Sequence, residues 1–341
     1  GFIDFWLPVF LFIKRDDFAL FYDEGYIPFI TEETLDLVSK LSKDYEIKAF
    51  DIEGLKLDLF NRYRMLLNQS QQRRPSSQAF IEIIRPFLTF YRQLPGFAKN
   101  TKRLNKKTLA LREAIACAKD PEETFFENFP KALGYNIMQL QKNQGELQLY
   151  VQQLQNSIRE IRTCYDELVK RIENFLFEEI IGEKLSFPDY KVALQDRFKK
   201  IKRHLLLPHQ KVFYQRLISD LDDRKAWLNS ISHACIGKSL DVISDEDEKV
   251  VYEKLKDIIH EMDNLCELSK ADVNEEKEEV FKLEITSFVE GIKKSLVRLP
   301  KNRNIEIIQR EGVIKAKLSD DRRVNIAVLL KLLKEQLKNE K

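Results

Sequence analysis

From Ile137 to Phe175 the chain sets an apolar side chain at every third, then fourth, residue. With Ile137 at heptad position a, the a series is Ile137, Gln144, Val151, Ile158, Tyr165 and Ile172, and the d series is Leu140, Leu147, Leu154, Ile161, Leu168 and Phe175. Eleven of these twelve are apolar in a chain that is 43% hydrophobic, so the spacing is a pattern and not a by-product of composition. Only a helix gathers such residues on one side. At 1.5 Å per residue the stretch would reach about 58 Å, and the rest of the chain has to be arranged along it. The flanking e and g positions hold Gln141, Gln148, Gln155, Val169 and Arg171 in place of Glu–Lys pairs, and Gly145 interrupts the first half. Such a seam is expected to be covered by other helices of its own chain, as in a bundle, in preference to a second copy of itself.

The elements around it read as mostly helical, since Gly and Pro number only 10 each in 341 residues. The run "FIDFWLPVFLFI" (2–13) is too short to span a bilayer, which takes about 20 residues, and is expected to be buried structure. Two aromatic-rich runs around Asp23-Glu24-Gly25 predict a hairpin over 18–30. Thr31 caps a helix through Leu35, Val38 and Leu41; residues 45–52 form a third strand; a further helix passes through Leu57, Phe60, Tyr63 and Leu67. The polar stretch 68–78 reads as a linker, and helices broken at 94–96 and Asp120-Pro121 fill the next third. Beyond Gly182, helices are expected over 189–206, 209–220, 222–236, 247–268 and 276–298, the last striped by Phe281, Ile285, Phe288, Ile292 and Leu296. A second hairpin over 305–318, turning at Arg310-Glu311-Gly312, would precede a closing helix from Arg323.

The expected fold class is therefore mainly α: a multi-helix assembly with a long central heptad-striped helix and small hairpin-containing α+β patches near both ends. Its parts are an α+β unit over 1–70, helices over 71–135, the long helix over 136–182, a helical bundle over 183–300, and a hairpin plus C-terminal helix over 301–341.

Several chemistries are excluded or left without support. No two of the ten glycines lie within ten residues of each other, so neither a Walker A loop nor a dinucleotide fingerprint can be written. His204 and His209 flank Pro208; His233 and Cys235 have no second pair; His260 and Cys266 stand alone. No metal or other cofactor is expected, and neither is an enzyme. Cys117, Cys164, Cys235 and Cys266 are scattered, which suits unpaired thiols in a reducing cytoplasm. Glu46-x-Lys48 on the third strand has the spacing some metal-dependent nucleases use for ligand and lysine, but the carboxylate needed from a neighbouring strand is missing: Asp36, the nearest upstream acid apart from Asp44, falls on a helix. Alternation of that kind is what any half-exposed strand shows.

With a net charge of +2, binding to nucleic acid would require a local patch. The best candidate is "DRFKKIKRHLLLPHQKVFYQR" (196–216). A helix face of Leu194, Phe198, Ile201 and Leu205 would leave Arg197, Lys199, Lys200, Lys202 and Arg203 projecting, with Phe213, Tyr214 and Arg216 after the proline turn. Cations beside aromatics suit phosphate contact with base stacking. A second candidate is the basic loop "KNTKRLNKK", with Lys99, Lys102, Arg103, Lys106 and Lys107. Acidic runs at 241–248 and 272–279 sit at expected helix starts, where carboxylates are favoured; docked onto the basic clusters, they would neutralise them.

The stretch "FYRQLPGFAKNTKRLNKKTLALREAIACAKDPEETFFENFPKALG" (90–134), with "DFALFYDEGYIPFITEE" (17–33) ahead of it, resembles the helical, non-motor region of very large bacterial ATPases linked to phage defence. The resemblance implies an arm or scaffold attached to an ATPase whose nucleotide site lies elsewhere. The expected role is thus a non-enzymatic helical scaffold whose partner is another protein or other domains of the same polypeptide. Nucleic acid binding through the two basic stretches is the alternative, and no membrane association is expected.

Overall fold

A computed structural model describes residues 2–15, 17–23, 25–27, 29–49, 55–71, 76–270, 276–288 and 291–338. Residues 50–52 of the expected third strand, the middle of the polar stretch 68–78 and the start of the acidic run 272–279 lie outside them. The fold is mainly α, with a long central helix and small antiparallel sheets. It separates into two compact units, residues 1–175 with 228–252, and residues 176–227 with 253–341.

In the first unit, β1 (Phe18–Tyr22), β2 (Gly25–Ile27) and β3 (Tyr45–Ala49) form an antiparallel sheet in the order β2-β1-β3, with Leu20 opposite both Ile27 and Ile47. The Thr31 hydroxyl accepts the Thr34 amide and caps the helix Glu32–Lys40. Leu11, Phe18, Leu20 and Val38 form the small core between sheet and helices. The run 2–13 is a helix, but it is not buried as expected: Leu11 is fully covered, while Phe5 and Ile13 are 73% and 70% exposed. An apolar helix presents side chains all round, and among its described side chains Leu7 and Leu11, one turn apart, are the ones that pack against this core.

A larger core gathers aromatic residues from the helices Leu55–Leu66 and Ser77–Gln93, from the wide π-helical turn Thr124–Asn128 and from the long helix. Phe125 and Phe129 meet edge to face at 5.5 Å, Phe87 meets Phe129 at 5.4 Å, and Tyr63 lies 4.7 Å from Phe125. The buried Tyr63 hydroxyl donates to the Phe125 carbonyl and shares a hydrogen bond with Tyr150 of the long helix.

The long helix is interrupted once near its expected start. A short helix Ile137–Lys142 ends at Asn143, whose side chain accepts the Gly145 amide at 2.9 Å and caps a new helix, Gln144–Phe175. Its 32 residues span about 48 Å before the chain widens into a π-helical turn, Leu176–Ile181. The stripe is buried, but not along one heptad seam. In the first half Leu147, Tyr150, Leu154, Ser157, Ile161 and Cys164 are buried, which are positions d and g; later Tyr165, Leu168, Val169 and Ile172, positions a, d and e, take over. A helix of 3.6 residues per turn lags a seven-residue repeat by about 20° per heptad, so a fixed neighbour meets successively different heptad positions.

In the second unit Tyr190 of the helix Asp189–Phe198 packs against Phe177 at 5.7 Å and Trp227 at 5.8 Å. The buried Lys191 donates to the Leu221 carbonyl at 2.7 Å. Three expectations fail here. The helix expected over 189–206 stops at Phe198, so Ile201 and Leu205 do not share its face, and the chain makes only a short 3-10 turn at Arg203–Leu205 before the helix Pro208–Leu217. The helix expected over 276–298 is a hairpin of β4 (Glu278–Ser287) and β5 (Gly291–Pro300), with Phe281 opposite Val297 and Ile285 opposite Lys293. Gly291 at φ +69 supplies the left-handed turn residue. Conversely, the hairpin expected over 305–318 is the helix Asn304–Lys315, in which Gly312 is an interior residue. The closing helix, Arg322–Lys338, stands where it was expected.

Candidate functional site

The basic loop 99–107 follows the short helix Gly96–Asn100. Gly96 is where the loop touches its neighbour: a Cβ there would lie 3.1 Å from the Asp241 carbonyl, and the Phe97 amide donates to that same oxygen at 2.7 Å. Arg112 holds the loop from behind, donating to the Ala98 and Thr101 carbonyls. The loop therefore faces the acidic start of the helix Asp245–Lys270. Asp245 accepts the Thr101 hydroxyl at 2.7 Å and the Lys102 amide at 2.8 Å. Arg103 donates to Glu248 at 2.7 Å.

Glu248 is the centre of this arrangement. It is 1% exposed and accepts Arg103, both Nε and Nη2 of Arg171 from the long helix, at 2.8 and 3.0 Å, and the Tyr252 hydroxyl at 2.6 Å. Burial alone would raise its pKa, but the hydrogen bonds from Arg171 and Tyr252 and the charges of Arg171 and Arg103 outweigh it and hold the carboxyl below its ordinary value. The Tyr252 hydroxyl is pushed up, first by burial and then by its bond to Glu248. Chemically this is a latch between chain-distant segments, and its carboxylate is closed to solvent. Of the basic loop, Arg103 is committed to it. Lys99 donates to the Arg92 carbonyl at 3.0 Å, the Lys107 ammonium lies 5.5 Å over the Tyr135 ring, and Lys102 and Lys106 are exposed.

In the stretch 196–216 the cations are separated from one another by the end of the helix at Phe198. Arg197 makes a bidentate pair with Asp263, at 2.8 and 2.6 Å, and also donates to the Ile180 carbonyl. Lys199 is 4.0 Å from Asp196, the Lys202 amide donates to Ser269, and Lys200 and Arg216 are exposed. The aromatic half of this candidate does not hold: Phe213 and Tyr214 of the helix Pro208–Leu217 are buried, at 1% and 6% exposure, so neither offers a ring to a base. Arg203 instead packs over the Tyr214 ring at 5.6 Å.

Glu46 and Lys48 line a polar cleft of about 490 Å³ with Lys119, Asp120 and Glu123. Lys48 donates to Asp120 at 2.8 Å, and the other Asp120 oxygen caps the amides of Glu122 and Glu123. Burial would lower the Lys48 pKa, but the bond to Asp120 and the nearby carboxylates raise it, so the amine stays protonated. Asp36 pairs with Lys40 on its own helix. Among the described residues no group of three His, Cys, Asp or Glu is placed to hold a metal ion, and His204, His209, His233 and His260 are all exposed. The cysteines are free; Cys164 and Cys266 are buried and Cys117 is exposed. No helix is long and apolar enough to cross a membrane, among the described residues.

Sequence reading missed the largest feature. From Glu276 to Leu337 none of the described residues is buried, yet Phe288 stands fully exposed at the hairpin tip, and thirteen Ile, Leu and Val residues between Ile305 and Leu333 are 37% to 74% exposed. Leu299, Ile307, Ile314, Leu318 and Leu329 line a groove of about 650 Å³, with Arg303, Arg310 and Lys315 beside it. The signal was present: the closing helix carries Val324, Ile326, Val328, Leu329, Leu330, Leu332 and Leu333, more apolar surface than one neighbour covers. Set against known proteins, the chain matches no family model, no curated protein and no solved structure.

Proposed function

We propose that this chain is a non-enzymatic scaffold, and that its C-terminal hairpin and two helices are the surface through which it docks onto another protein. One observation carries the reading. The thirteen aliphatic side chains between Ile305 and Leu333 are about half exposed on average, equivalent to about six fully exposed ones. Covering them would contribute roughly 10–20 kcal/mol at about 1.5–3 kcal/mol each. Association costs about 4–15 kcal/mol in lost freedom and ordering, so the surface is large enough to hold a partner. Exposed apolar surface on this scale, four of whose residues meet in one groove, marks interaction sites.

The first unit fits the supporting role. Its long helix is packed into an aromatic core, and its buried carboxylate Glu248 is held by Arg103 and Arg171 of the same unit. The resemblance of 17–33 and 90–134 to non-motor regions of bacterial ATPases is in keeping with an arm that carries and docks. The test is hydrophobic-dye binding together with sedimentation of the full chain. Aspartate at Leu329 and Ile314 should reduce dye fluorescence at unchanged helix content. Fluorescence that persists in the double variant would overturn the reading.

A further inference from the structure

We propose that the groove beside Leu299, between the helices Asn304–Lys315 and Arg322–Lys338, receives an acidic amphipathic helix from a partner protein. The inference rests on the docking role above and adds the chemistry of the partner. The floor is aliphatic, formed by Leu299, Ile307, Ile314, Leu318 and Leu329, with a volume of about 650 Å³. Ile307 and Ile314 are seven residues apart on one helix, about 10 Å along its axis. That is the distance over which the i, i+3 or i+4, and i+7 anchors of an incoming helix insert.

Charge decides what that helix carries. From Gly291 to Lys338 the chain has thirteen Lys and Arg against five Asp and Glu, a net +8, whereas residues 1–290 have 43 against 49, a net −6. With the first strand of the hairpin included, residues 276–338 have fifteen Lys and Arg against ten Asp and Glu, a net +5, so a second copy would set like charge against like charge and oppose association. Arg310 and Lys315 at the groove pair with Glu306 and Glu311, at 3.6 and 2.6 Å, through exposed contacts one turn apart. Exposed pairs of this kind are weak, so a partner carboxylate can replace them. Neither Trp nor Tyr occurs after Tyr252, and no aromatic residue lines the groove, which leaves it without the rings that stack on bases or settle at a lipid interface. Phe281 and Phe288 belong to the hairpin, outside the groove.

The probes are three fluorescent synthetic helices titrated with the full chain. One has leucines at i, i+3, i+4 and i+7 with glutamates elsewhere; one replaces the glutamates with lysines; one scrambles the leucines at constant composition. The acidic striped helix should bind at least tenfold more tightly than either control, and weaken as salt rises. Ile314→Asp and Leu329→Asp should each reduce that affinity at least tenfold with unchanged circular dichroism, while Leu149→Asp on the first unit leaves it as it was. Equal binding of the lysine or scrambled helix overturns the proposal. It is also overturned if Leu329→Asp instead abolishes self-association, or binding of a single-stranded oligonucleotide or of anionic vesicles, that is stronger than peptide binding; the surface would then still dock something, but not this. If the chain binds none of these probes and the substitutions change nothing, the docking role fails as well.

Discussion

Glu248→Gln removes one charge and almost no volume from the first unit, so its cost can be worked out from the contacts described. The carboxylate accepts Arg103 at 2.7 Å, Arg171 at 2.8 and 3.0 Å, and Tyr252 at 2.6 Å, at 1% exposure. A hydrogen bond to a charged group contributes about 1.5–3 kcal/mol, and breaking a fully buried pair costs about 3–5 kcal/mol. The side chains of Arg103 and Arg171 are 40% and 37% exposed, so water recovers part of that loss. The expected destabilisation is about 2–3 kcal/mol, or roughly 5–10 °C in melting temperature for a unit of this size. Scanning calorimetry and urea unfolding of the full chain would measure it. The acid dependence adds a second reading with a fixed sign. Because the folded pKa of Glu248 is below its unfolded value, its contribution is complete above the unfolded value, near 4.3, and is lost as pH falls through the folded one. The gap between wild type and Glu248→Gln should therefore be constant near neutrality and close in acid. A loss under 1 °C, or a gap that widens in acid, would refute the account of the latch.

Other substitutions separate the buried stripe from the exposed face of the same helix. Leu154→Ala, at a fully buried position, should cost about 2–5 kcal/mol in urea unfolding, while Leu149→Ala, 57% exposed, should stay within about 0.5 kcal/mol. Thiol titration should find Cys117 reacting first in the native protein; Cys164 and Cys266 are buried, burial raises the first thiol to about 11 and the second above its ordinary value, and these two should respond only after unfolding. Tyr150→Phe should cost only about 0.5–1.5 kcal/mol, because the Tyr63 hydroxyl keeps its bond to the Phe125 carbonyl; a loss comparable to Leu154→Ala would show that the tyrosine pair matters more than its geometry allows.

The long helix was legible because its period is repeated often enough to leave no second reading, whereas its burial was not. Which side of Gln144–Phe175 is covered depends on neighbours whose positions no local pattern encodes, so the heptad frame held only in part. The exchanged assignments near the C-terminus have a different cause. Phe281, Ile285, Phe288, Ile292 and Leu296 fit a helical stripe, but Phe281, Leu283 and Ile285 also alternate with Lys282, Glu284 and Thr286, and only the left-handed Gly291 separates the readings. In 304–315 the branched residues argued for strands, yet Glu306 with Arg310 and Glu311 with Lys315 stand one helical turn apart and were visible in the sequence. Of the basic stretches, composition located the cations but not their partners. Asp245 and Glu248 lie more than 140 residues from Arg103.

The first unit is made of two pieces of chain, 1–175 and 228–252. On a ribosome it cannot finish folding when the long helix emerges, because Arg171 and Arg103 wait for a carboxylate synthesised some 75 residues later than Phe175. A chain ended near Gly182, where the sequence suggests a boundary, would lack Asp245 and Glu248 and leave Arg103 and Arg171 without the carboxylates they hold; keeping the latch requires the chain to run through residues 176–227 to Tyr252.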